Sequence, residues 1–186
     1  DRREYYRIED TIALEIRPLS APEAAGQEVL QDASPLFNLL SELHLSEFES
    51  QHLLRQISER DRNLAAFLKS QNKRIDLLSQ VIAITVLGQI GEPQPVIISE
   101  GGIDFQHPSP IATGAHLSVK LVLMPQALGL LLRARVTHCD RKGDGYDVGT
   151  EFEHLSDAQR QLLARHILQK QAQERRLARE QLESGN

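Results

Sequence analysis

Tryptophan is absent from this 186-residue chain, and cysteine and methionine occur once each. The lone Cys139 excludes an intrachain disulfide and fits a reducing, cytoplasmic compartment. Aromatic residues make up only 4% of the chain, which weakens any reading built on platforms for stacked bases. Positive charge is also in deficit: the formal net charge is -5, so a sequence-wide basic footprint for DNA or RNA is missing, and any basic site has to be local. No run reaches the length of about 18 apolar residues that a membrane-spanning helix needs, and nothing reads as a secretory signal. What is present is 40% hydrophobic and 25% charged, the composition of a soluble domain with a buried core. The length suits one domain, or one domain carrying a large insertion.

Catalytic constellations are missing too. His138 and Cys139 are adjacent on an expected strand, so they point to opposite faces and make a poor dyad. The seven histidines form no helical pair with ligand spacing, and no glycine-rich phosphate loop of the Walker type occurs. The expectation is a chain that is not an enzyme, holds no metal and needs no cofactor.

The hydrophobic period changes along the chain. Residues 9–18 alternate as a strand. Ser34-Pro35 opens a helix expected to end near His44, and Ser46 with Glu49 reads as a capping box opening a second one. No Gly or Pro interrupts the sequence from Ser46 to Leu87, which predicts one long helix, the longest in the protein. From Gly88 the period becomes two, with strands expected at Val96–Ser99, Ile103–Phe105, Leu117–Leu123, Leu128–Cys139 and Tyr146–Phe152. Ser156 and Gln159 cap a final helix whose apolar face carries Leu162, Leu163, Ile167 and Leu168. Short antiparallel strands at this spacing suggest a barrel or sandwich.

The long helix carries a heptad seam. Leu54, Ile57, Leu64, Leu68, Gln71, Ile75, Leu78 and Ile82 fall at alternating steps of three and four once Asp61 fills the remaining gap. Leu53, Phe67 and Val81 widen the stripe. Such a seam exceeds what a small barrel covers, so self-association is expected, and the wide face favours more than two helices. The direction in which the helices pack is left open.

Two short motifs remain. Arg2, Arg3 and Arg7 place three guanidinium groups just before the first strand, and arginine's planar fork matches phosphate oxygens. Ile97-Ile98-Ser99-Glu100-Gly101-Gly102 forms an SxxG turn between later strands. Together, in this order, and with Val148-Gly149-Thr150-Glu151-Phe152 as a closing strand before the capped helix, they resemble the PilZ family over roughly residues 2–19 and 86–168. The resemblance implies an α+β fold: a six-stranded antiparallel barrel, here with a long helical insertion after the first strand and a C-terminal helix. It divides the chain into a barrel with its C-terminal helix (1–19 and 86–186) and a helical oligomerisation insertion (20–85). The insertion is similar to an atypical branch of the family that forms tetramers through long heptad-bearing helices.

The resemblance implies a ligand, cyclic di-GMP, gripped at its phosphates and guanine faces by Arg2, Arg3 and Arg7, with Ser99 and Gly102 in the second motif. That motif is usually (Asp/Asn)-x-Ser-x-x-Gly. Ile97 stands in place of the acidic or amide residue, which would accept from a guanine N–H. Losing such a bond costs roughly 1–3 kcal/mol, or about 5- to 150-fold in affinity. Two functions follow: a cyclic di-GMP receptor and adaptor signalling through a homotetrameric scaffold, or a degenerate oligomeric protein-interaction scaffold without the ligand. A protein partner is expected in either case but the sequence does not name it.

Overall fold

The structure is a computed structural model and describes residues 5–184. Its elements are β1 (Ile8–Pro18), α1 (Ala21–Ala24), α2 (Pro35–Arg60), α3 (Arg62–Ile90), β2 (Gln94–Ile98), β3 (Ile103–His107), β4 (His116–Leu123), β5 (Leu128–Lys142), β6 (Gly145–Glu153) and α4 (Asp157–Ser184). The six strands close an antiparallel barrel in the order β1-β2-β3-β6-β5-β4. The α+β class, the helical insertion after the first strand and the C-terminal helix are all as the sequence suggested. By contact density the chain separates into two compact units: Asp1–Thr11 with Gln94–Leu117 and Arg133–Asn186, and Ile12–Pro93 with Ser118–Leu132.

In the first unit the alternation of the strands sorts side chains between core and surface. Ile98, Ile103, Phe105, Val136 and Val148 are fully buried. β2 pairs with β3, β3 with β6, and β5 with β6, the last through a bulge between Val136 and His138. The β5–β6 turn is tighter than the sequence suggested. The strands run to Lys142 and from Gly145, leaving two residues between them, and Gly143 takes the positive φ of 61° that this turn needs. The expected cap of α4 is present: Gln159 N–H donates to Ser156 Oγ, and Ser156 N–H donates to Gln159 Oε1. Leu162, Leu163 and Ile167 bury the inner face of α4.

The second unit corrects the reading of one long helix. α2 runs unbroken from Pro35 to Arg60, so the expected stop near His44 and restart at Ser46 do not occur. Its start is as expected, with Ser34 Oγ accepting from Phe37 N–H. No Gly or Pro separates His44 from Ser46. His44 is buried with Nε2 2.9 Å from the Ala127 carbonyl oxygen, a contact that favours the helical path there. The break comes instead at Asp61, which the seam had counted as one of its own positions. Its backbone is extended (φ -143°, ψ 99°) and its N–H donates to the Ile57 carbonyl. Its carboxylate accepts from the N–H groups of Asn63 and Leu64, both at 3.0 Å. Asp61 therefore ends α2 and caps α3, where its charge also suits the positive end of the helix dipole.

Across this break the chain doubles back. Residues 43–50 of α2 face residues 72–79 of α3, and Phe37 and Leu40 cluster with Ala83, Val86 and Ile90. Both sets mirror about position 61, the signature of an antiparallel helical hairpin. The same cluster contains Ala13, Val122 and Ala127. The inner face of α3 is made largely of small residues, with Ala65, Ser79 and Ala83 all buried. Lys120 reaches into the cluster's edge, 2.9 Å from Asp32 and with its ammonium 5.0 Å from the centre of the Phe37 ring.

Candidate functional site

The β2–β3 turn is built so that glycine is required. Ser99 N–H donates to the Gly102 carbonyl at 2.9 Å, and Ser99 Oγ accepts from Gly101 N–H at 3.1 Å. The Gly101 carbonyl accepts from Phe152 N–H at 2.8 Å, which binds the turn to β6. Gly102 comes so close to β6 that a Cβ there would fall on the Thr150 carbonyl oxygen. A Cβ on Gly101 would meet the Tyr5 ring at 2.7 Å, so the segment before β1 rests its aromatic ring on this turn.

A cleft of about 450 Å³, open solvent at its mouth included, forms beside the turn. Tyr5 and Arg7 line it from the segment before β1, Ile97 from β2, and Ser99, Gly101 and Gly102 from the turn. Asp104 on β3 and Thr150 and Glu151 on β6 complete it. Three of the residues singled out in the sequence, Arg7, Ser99 and Gly102, thus meet in one place. Arg2 and Arg3 lie outside the described residues. Tyr5, Asp104, Thr150 and Glu151 are not among the site residues expected from the sequence: strand register brings Asp104, Thr150 and Glu151 to this cleft, and the Tyr5 ring reaches it by resting on the turn.

Among the described lining residues Arg7 is the one cation. Its Nη1 lies 3.7 Å from Asp104 Oδ2, a contact too long for a hydrogen bond, with the Arg7 side chain 43% exposed. An exposed pair of this kind is worth roughly 0–1 kcal/mol, so Arg7 exchanges partners easily. Glu151 is engaged differently: Arg135 Nη2 holds its Oε2 at 2.8 Å. Ser99 is buried and its hydroxyl serves the turn, while Thr150 donates its Oγ1 hydrogen to the Ile103 carbonyl. These two hydroxyls shape the cleft, and Arg7 is the group placed to grip an anion. Ile97 is 41% exposed at the wall, so an apolar side chain stands where the family motif would offer an acceptor.

The expected oligomerisation residues lie in the other unit, distributed over both helices of the hairpin. Leu54 and Ile57 on α2, and Leu68, Gln71 and Ile82 on α3, are half-buried; Leu64, Ile75 and Leu78 on α3 are exposed. Phe67, Leu77, Val81 and Ile84 are exposed on α3 as well. Among the described residues no cluster of three or more His, Cys, Asp or Glu is placed to hold a metal ion, and no helix is long and apolar enough to cross a membrane.

Comparison with known proteins places this geometry. No curated protein matches the sequence. A solved structure with this fold is a pathogenic protein from Xanthomonas campestris, described as a new tetrameric PilZ domain self-assembled via an unusual helical bundle. It aligns with a TM-score of 0.54 at 19% identity, over 97% of this chain and 90% of that one. The inhibitor of motility from Bacillus subtilis aligns with a TM-score of 0.45 at 12% identity, over 93% of this chain and 52% of that one. The PilZ domain profile matches residues 68–169, more than half of the chain, from within α3 through all of the barrel after β1 and into α4. On that match, and on the closed six-stranded barrel that carries it, the chain belongs to the PilZ domain family.

Proposed function

We propose that this protein is a cyclic di-GMP receptor and adaptor whose ligand binds in the cleft between the segment before β1 and the β2–β3 turn, and whose helical hairpin carries it in a homotetramer. The observation that supports the ligand most directly is the convergence of Arg7 with the Ser99–Gly102 turn around a single cleft. A cyclic dinucleotide presents two phosphates, and a guanidinium fork meets phosphate oxygens with paired charge-assisted bonds. On this reading Arg7 leaves Asp104 for a phosphate, Arg2 and Arg3 close on the ligand from the same segment, and the Tyr5 ring and the turn form the floor. Residues 1–19 and 86–186 form the sensing part and residues 20–85 the assembly part. The exposed apolar residues of α3 support the assembly, since a second copy of the chain offers the same face in return.

Titration calorimetry of the whole chain with cyclic di-GMP tests this. Wild type should bind, and Arg7→Ala should weaken binding about 10- to 150-fold, the equivalent of a lost charge-assisted contact of roughly 1.5–3 kcal/mol. A folded wild type that gives no heat at high ligand concentration sinks the receptor reading. One observation favours the second reading, an oligomeric scaffold that has the fold without the ligand: Ile97 offers no acceptor where the motif has Asp or Asn. Binding that appears only in Ile97→Asp would establish that second reading.

A further inference from the structure

The strand that lacks the motif's acceptor is paired with one that has a carboxylate at the matching position. Ile97 on β2 and Asp104 on β3 are register partners, and both line the cleft that holds Arg7. Directly opposed residues on an antiparallel pair have their Cβ atoms about 4.5–5.5 Å apart on the same face. A carboxylate at 104 therefore reaches much of the space that one at 97 would reach.

We propose that Asp104 is the base-reading residue of this site, supplying from β3 the acceptor that β2 lacks and selecting guanine over adenine. The inference rests on the cyclic dinucleotide reading above and adds the residue that sets its specificity. The Watson–Crick edge of guanine presents two adjacent donors, N1–H and the N2 amino group, and a carboxylate presents two adjacent acceptors. Adenine offers one donor, its N6 amino group, beside the bare N1 lone pair. A carboxylate meeting adenine makes one bond and sets its second oxygen against that lone pair. Of the two carboxylates that line the cleft, Glu151 is committed to Arg135 at 2.8 Å. Asp104 instead meets Arg7 at 3.7 Å, beyond hydrogen-bond distance. When Arg7 turns to a phosphate, Asp104 is left facing the bound base.

The test is calorimetry of the whole chain with cyclic di-GMP and with cyclic di-AMP. Wild type should prefer the guanine ligand by at least about tenfold. Asp104→Ala should lose about 5- to 150-fold in affinity for cyclic di-GMP and most of its preference. Asp104→Asn, which keeps the shape but offers one acceptor and one donor, should lose the preference too. Adding Ile97→Asp to Asp104→Ala should restore both affinity and preference by returning the carboxylate from the opposite strand. An Asp104→Ala variant that binds cyclic di-GMP as tightly as wild type, with its preference intact, overturns the proposal and leaves Asp104 as a counterion for Arg7. Binding by Ile97→Asp alone, with wild type silent, overturns the proposal while the site stands. Silence from both, with circular dichroism showing a folded barrel, overturns the cyclic dinucleotide reading itself.

Discussion

His166 on α4 and Asp10 on β1 are joined by a hydrogen bond of 2.8 Å in which the imidazole Nε2 donates to the carboxylate. Both side chains are almost wholly buried, and Lys170 Nζ holds the other carboxylate oxygen at 2.9 Å. Burial alone would raise the Asp10 pKa. The hydrogen bonds from His166, Lys170 and Thr11 N–H outweigh it and hold the carboxyl below its ordinary value of 3.8.

A depressed carboxyl stabilises the fold wherever the unfolded chain would be ionised as well. The contribution is complete above the ordinary value of 3.8 and is lost as pH falls through the lower folded value. Asp10→Asn should therefore destabilise the protein by about 1.5–3 kcal/mol near neutral pH. The difference from wild type should shrink on acidification. Thermal melts of both proteins as a function of pH check this, and a difference that grows as pH falls contradicts it.

Asp61 separates two pictures of the insertion. If one helix ran through it, Asp61→Leu would complete an apolar seam and raise stability. In the hairpin Asp61 caps α3 through Asn63 and Leu64, so both Asp61→Leu and Asp61→Ala remove the cap. Each should lower stability by about 0.5–2 kcal/mol in denaturant titrations. A rise in midpoint for Asp61→Leu would restore the continuous helix.

Gly102 and Gly88 form a matched pair of tests. A methyl group at Gly102 would collide with the Thr150 carbonyl, whereas nothing lies within 4 Å of a Cβ at Gly88 on α3. Gly102→Ala should cost at least about 1–3 kcal/mol, because backbone on backbone has little room to relax. Gly88→Ala should stabilise by about 0.5–1 kcal/mol through helix propensity. Equal effects of the two changes on melting temperature would show that the turn's contact with β6 is looser than the structure has it.

The barrel was legible because its strands are apolar and largely alternating and its turns use the residues that turns demand, with the Ser156–Gln159 cap readable in four letters. The hairpin was not, for a reason that lies in its side chains. Over most of its length the face of α3 turned toward α2 buries small residues, Ala65, Ser79 and Ala83, with Val86 and Ile90 buried only near its end, while Leu64, Phe67, Ile75, Leu77, Leu78, Val81 and Ile84 are exposed. Reading hydrophobicity alone selects the outer stripe and misses the inner one. Asp61 itself was the available signal: a capping residue type, just after Arg60 in the last turn of α2 and before a helix with no other cap. In the cleft, Arg7 and Gly102 could be found by spacing. Asp104 could not, because its place opposite Ile97 is a fact of strand register.

The outer face of α3 carries the last prediction. Leu78 and Val81 are 64% and 63% exposed and lie three residues apart, so they stand together on one side of the helix. Leu64 and Phe67 repeat that spacing two heptads earlier and are exposed in the same way. An apolar stripe of this length on a hairpin already closed by its own inner seam is expected to be covered by other copies of the chain. Sedimentation equilibrium should give a mass four times the 20.9 kDa of one chain. Leu78→Asp with Val81→Asp should reduce it to a single chain, since several carboxylates would otherwise share a dry interface. Helical content should persist, because neither residue belongs to the buried face of α3. A wild-type mass of 20.9 kDa would remove the assembly from the proposed function, and a dimer would retain the face but reject the tetramer.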